Sequence, residues 1–153
     1  MSKEAPVSDL TTHLGYWLRY VSNHVSQAFA RKVEACGVTV AEWVLLRQLL
    51  GEKELAPSRL SERMGMTRGT VSKLADRLIA KGLLVRAANP EDARAQTLAL
   101  TAKGRRLVPE LAAAADANDS EFFGHLAPKD RAVLLRILKG IVEKRGLQSV
   151  PVD

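Results

Sequence analysis

Apolar residues recur at helical spacing along most of the chain, and the breaks between them outline six helices and one hairpin. From Asp9 to about Ala35, the residues Leu10, Leu14, Leu18, Val21, Val25 and Ala28 fall on one stripe. A helix of this length exceeds what a small domain can cover, so part of the stripe is expected on a second subunit. Gly37 is a natural stop. "TVAE", Thr39 to Glu42, then has the form of a capping box, in which hydroxyl and carboxylate satisfy each other's free amides. It opens a second helix that should turn Trp43, Leu46, Leu49 and Leu50 inward. After the polar break "GEKELA", Pro57 suits the first position of a short third helix through Arg63, closed by Gly65. Thr67 caps a fourth helix with Val71, Leu74, Leu78 and Ile79 as its buried stripe, and Gly82 ends it.

The period then changes. Leu83 to Arg86 and Gln96 to Leu100 read as two short strands, with Asn89 and Pro90 marking the turn between them. Thr101 caps an alanine-rich helix from about Ala102 to Gly124, where Pro109 should produce a kink. Pro128 starts a last helix through about Lys144, with a wide apolar face of Val133, Leu134, Ile137, Leu138, Ile141 and Val142. The tail from Gly146 is expected to fray. The fold class is thus mainly α with a small β-hairpin. Helix, glycine-containing turn, helix and hairpin in this order describe a winged helix-turn-helix core flanked by long N- and C-terminal helices.

Charge adds a direction to this outline. The chain of 153 residues carries a formal net charge of +6. Between Leu55 and Arg106 there are eleven cations against four acids, so the middle third holds the whole excess. A localised positive patch fits an anionic partner, with nucleic acid first and a merely solvated basic face as the alternative. With 46% hydrophobic residues the chain can bury a sizeable core. No apolar run reaches the roughly 18 residues of a membrane span, and Met1 to Leu10 lacks the apolar core of a signal peptide, so a cytoplasmic location is expected. The single cysteine, Cys36, excludes an internal disulfide and a multi-cysteine metal site, and reads as an inert buried thiol.

"MTRGTVSKLADRL", Met66 to Leu78, begins with residues poorly suited to a helix. Gly69 alone costs about 1 kcal/mol against alanine in a helix interior. The same residues suit a DNA groove. A helix N-terminus offers free amides and partial positive charge, and small side chains let the backbone approach. Thr67, Thr70 and Ser72 can donate to phosphates or bases, while Arg68 and Lys73 can reach base edges or the backbone, with Arg77 further along.

"PSRLSERMGMTRGTVSKLADRLIAKGLLVR" followed by "NPEDARAQTLALTAKG" resembles the MarR family of dimeric bacterial transcription regulators. The resemblance runs from roughly Leu14 to Lys144. It is most specific in the wing, where the pattern D-x-R then L-x-L-T stands as Asp92, Arg94, Leu98, Leu100 and Thr101. It implies that Arg94 enters a minor groove, oriented by Asp92. It also implies a homodimer joined through the N- and C-terminal helices, reading a palindromic site on double-stranded DNA. On this reading 1–36 is an N-terminal dimerisation helix, 37–101 the DNA-binding region, 102–146 the C-terminal dimerisation helices and 147–153 a tail.

Many members of the family respond to a small anionic aromatic ligand, and aromatics with a cation could hold a phenolic carboxylate by stacking and charge. Here His13, Trp17, Tyr20 and His24 stand at i, i+4, i+7 and i+11, with Trp43 and Arg47 on a helix expected to face them. These six residues are the candidate pocket for a small aromatic or lipophilic effector, the alternative being packing at a dimer interface. His13 and His24 lie near 16 Å apart by helical rise, too far for one ion, so no metal is expected, and no cofactor. No P-loop, H-E-x-x-H, G-x-S-x-G or dinucleotide fingerprint is present, which argues against an enzyme. The expected function is a ligand-responsive repressor. The alternative is a winged-helix module that binds a protein partner through the same surface.

Overall fold

The computed structural model describes the backbone of residues 4–89 and 92–152, and the side chains of residues 4–88 and 96–152. A 3-10 turn (Leu10–Thr12) precedes α1 (Leu14–Glu34), α2 (Val40–Leu49), α3 (Pro57–Met64) and α4 (Arg68–Ala80). The hairpin of β1 (Leu84–Asn89) and β2 (Asp92–Leu100) follows, then α5 (Ala102–Phe123) and α6 (Pro128–Arg145). This is the mainly α architecture with a two-stranded wing that the periodicity predicts.

Several expectations require correction. The first helix is not continuous from Asp9: His13 has extended backbone (φ −92°, ψ 126°) and separates the 3-10 turn from α1. Thr12 and Trp17 hold that turn by donating to the carbonyls of Asp9 and Thr11. Leu50 lies outside the core at 37% exposure, because α2 ends at Leu49 and the chain turns outward there. Both strands run further than expected, pairing antiparallel from Leu84 with Leu100 to Asn89 with Asp92. Their distal halves are rich in alanine, a weak strand former, so pairing rather than propensity carries them. The segment after Gly146 does not fray into solvent: Ser149 packs against Gly65.

The core lies where α2, α3, α4, the wing and α5 converge. Leu45, Leu46, Leu60, Val71, Leu78 and Val108 are fully buried there, each such side chain contributing about 1.5–3 kcal/mol relative to exposure. Leu55, just ahead of α3, exchanges two backbone hydrogen bonds with Leu98 (2.9 and 2.7 Å), adding a short third rung to the wing. Two polar devices fix the helices around this core. The buried carboxylate of Glu42 completes the capping box of α2 and also accepts from Lys81 Nζ at 2.8 and 3.1 Å. It thereby ties the start of α2 to the end of α4. The buried Asn118 on α5 donates to the Val25 carbonyl at 3.1 Å and accepts from Lys32 Nζ at 3.0 Å, joining α5 to α1.

By contrast, the two outer helices leave apolar surface bare. Leu14 and Leu18 of α1 are 87% and 54% exposed, and every residue of α6 is exposed, including Leu134, Ile137, Leu138 and Ile141.

Candidate nucleic-acid interface

α4 is held by one face and open on the other. Val71, Leu74, Ala75 and Leu78 are buried. Thr67, Arg68, Gly69, Thr70, Ser72, Lys73 and Arg77 are all exposed. Thr67 is the N-cap: its hydroxyl oxygen accepts from the Thr70 amide at 3.2 Å and lies 2.9 Å from the Thr70 hydroxyl. Thr70, Lys73 and Arg77, at i, i+3 and i+7, line one edge of the open face. A Cβ built on Gly69 meets nothing within 4 Å, so nothing in this chain requires a glycine there.

The structure sorts the positive charge of the middle third into two sets. One set braces the fold: Arg63 pairs with Glu52 at 3.1 Å, Arg86 with Asp76, and Lys81 with Glu42, while Lys103 donates to the Lys81 carbonyl. Arg86 thus secures the wing to α4, and Asp76, the one acid of that helix, is neutralised by it. The other set is uncommitted. Among the described residues, Arg68, Lys73 and Arg77, on the open face of α4, have no carboxylate partner, and neither do Arg105 and Arg106 in the first turns of α5. The side chains of Asp92 and Arg94 lie outside the described residues. Their backbone belongs to β2, beside the turn at the tip of the hairpin.

The candidate effector residues separate in space. Trp17, Tyr20 and His24 lie on the exposed side of α1, with the Tyr20 and His24 rings stacked at 5.3 Å. His13 is off the stripe, since it lies in extended backbone before the helix. Trp43 faces elsewhere, into a cavity of about 300 Å³ between α1, α2 and α5. Val25, Phe29, Val44 and Phe123 form its apolar walls, and Ser26, Asn118 and Asp119 supply polar groups. Arg47 is exposed and is not part of this lining, which contains no cation. Asn118 is a residue that sequence reasoning missed; its signal is an amide inside an alanine-rich apolar helix. A wider cleft of about 600 Å³ lies at the far end of α4, bordered by Lys81, Lys103, Arg106 and Cys36. Cys36 is half-buried rather than buried, because it sits in the turn after α1 instead of on the helix. Among the described residues no three metal-ligating side chains converge, and no helix is long and apolar enough to cross a membrane.

Comparison with known proteins agrees with this geometry. Residues 37–95, from the turn before α2 into the wing, match the model of the MarR family. A putative transcriptional regulatory protein for the hcr operon of Thauera aromatica is 29% identical over 127 residues, covering 82% of this chain and 76% of that protein. The HTH-type transcriptional repressor MdtR of Bacillus subtilis is 29% identical over 132 residues, covering 86% and 76% respectively. Among solved structures, CouR from Rhodococcus jostii RHA1 bound to p-coumaroyl-CoA superimposes with a TM-score of 0.77 at 23% identity. That likeness covers 95% of this chain and 100% of CouR, and bears on the fold alone. The helix-turn-helix with its uncovered α4 terminus, the wing behind it and these relatives agree: the chain is similar to the MarR family of winged-helix transcriptional regulators, and its residues 37–95 match that family.

Proposed function

We propose that this protein is a homodimeric, ligand-responsive repressor that reads a palindromic operator. The first turn of α4 enters the major groove with Thr67, Arg68, Gly69, Thr70, Ser72 and Lys73. Arg77 grips the backbone, and the wing carries Arg94, with Asp92 behind it, to the adjacent minor groove. The observation that carries this reading is the bare α4 terminus: three cations without a carboxylate partner among the described residues and a glycine with open space around it, on a helix whose other face is packed. The exposed apolar residues of α1 and α6 support a dimer formed through those helices, since neither face is covered within the chain. Two copies related by a two-fold axis present two α4 helices to half-sites about one turn of DNA apart.

Titration of the duplex upstream of the protein's own gene, at 50 to 200 mM salt, tests this directly. Two chains should bind per duplex, and Arg68→Ala should weaken binding and relax base preference at one step of each half-site. If Arg68 instead holds a phosphate, selectivity stays and the salt slope falls by about 0.9. Failure of the parent to shift the duplex at low salt would replace the DNA-binding reading by a protein-interaction module.

The cavity beside Trp43 is the effector site we favour. Its size and lining suit a small lipophilic aromatic rather than an anion, because no cation is among its described lining residues and the nearby Lys32 ammonium is engaged by Asn118 and Glu121. Methyl p-coumarate should therefore raise the melting temperature more than p-coumarate does, and Trp43→Ala should abolish the difference. Equal stabilisation of parent and variant would remove the cavity from the account.

A further inference from the structure

Beyond α6 the chain turns back on itself. Gly146 adopts a left-handed conformation (φ +62°), and the amide of Leu147 donates to the Val142 carbonyl. The segment that follows reaches the turn of the helix-turn-helix. A methyl group at Gly65 would stand 3.1 Å from Ser149 Cα and 3.4 Å from the Gln148 carbonyl oxygen, so backbone lies directly on that glycine. Val150 and Val152 are half-buried, and the segment shares a cleft with Met64, Gly65 and Met66. Pro151 in the same short stretch also lines the Trp43 cavity. Pro151 thus lines the Trp43 cavity while its neighbours in the same five-residue segment stand on the turn that precedes α4.

We propose that residues 148–152 form a strap that couples the Trp43 cavity to the helix-turn-helix. A ligand that claims the space beside Pro151 lifts the strap from Gly65 and Met66, and α4, which starts at Arg68, loses the packing that sets its angle. The strap is held by two half-buried valines and by backbone contact, so its release costs little, and a modest difference in ligand affinity between the two states suffices to move it. The left-handed Gly65 (φ +63°) serves twice: it ends α3, and its missing side chain admits the strap. What lifts the strap rests on the cavity being the effector site, whereas the link between its two ends does not.

The link is tested by disturbing one end and reading the other. Pro151→Asp places a carboxylate on the cavity wall that already holds Asp119. Hydrogen exchange is then followed at the amides of Gly65 and Met66, which donate to the carbonyls of Glu62 and Ser61. Deletion of residues 148–153 supplies the fully released reference. Pro151→Asp should accelerate both amides by about threefold or more, towards the rates of the deletion variant. If the deletion leaves these amides at the parent rate, the segment does not brace the turn and the proposal fails. If the deletion accelerates them and Pro151→Asp does not, the two ends are not linked and it fails equally. Loss of the methyl p-coumarate stabilisation alone would remove the effector reading and leave the strap standing.

Discussion

The first turns of α4 and α5 are built alike and used differently. Each is capped by a threonine whose hydroxyl oxygen accepts the amide three residues on, Thr67 from Thr70 at 3.2 Å and Thr101 from Gly104 at 3.0 Å. Each has a glycine with cations close by, Arg68 and Lys73 in α4 and Lys103, Arg105 and Arg106 in α5. In α5 this turn is closed: the Thr101 hydroxyl donates to the Gly82 carbonyl at 2.7 Å, and a Cβ on Gly104 would stand 2.3 Å from the Leu83 carbonyl oxygen. In α4 it is open, with every side chain from Thr67 to Thr70 exposed and empty space around Gly69. The same local grammar therefore serves packing in one helix and stays open in the other. One glycine admits this chain's own backbone, and around the other nothing of this chain lies within 4 Å of an added Cβ.

The closed side of the comparison should break hardest. Gly104→Ala drives a methyl into a backbone carbonyl that cannot swing away, so a loss of about 2–3 kcal/mol is expected, measured by denaturant unfolding. DNA affinity of the folded fraction should be unchanged. Smaller, and at the opposite end of α4, is Lys81→Met. It leaves the buried Glu42 carboxylate with only the capping amide of Thr39, for a loss of about 2 kcal/mol given that the lysine end is partly solvated. A normal urea midpoint for Lys81→Met would show that water replaces the ammonium there.

Much of this is legible in the sequence. Helix ends were marked by Thr39, Pro57, Thr67 and Thr101, whose capping chemistry is local, and the α4 stripe follows from period alone. What stayed hidden depends on contacts between distant residues. Leu55 gives no strand signal inside "GEKELA", yet it pairs with Leu98. Nothing local distinguishes Gly104 from Gly69; only the passage of Leu83 over α5 does so. The aromatic stripe of α1 read as one pocket with Trp43 and Arg47 because helical spacing reports a face and not what that face meets. Trp43 turned to a cavity with Asn118, while Tyr20 and His24 stayed outside. The apparent uniformity of the positive charge was dissolved by Glu42, Glu52 and Asp76, which occupy three of its members.

The comparison rests finally on Gly69. Replacing it by alanine adds a methyl that meets nothing in this chain, so the melting temperature should hold or rise, by up to about 1 kcal/mol of stability. If the open turn meets DNA closely, the same methyl should weaken binding to the upstream duplex severalfold at fixed salt, with little change in salt slope because no charge is lost. A Gly69→Ala protein that is no less stable and binds more weakly is the result this account predicts. One that binds the duplex as tightly as the parent would contradict it.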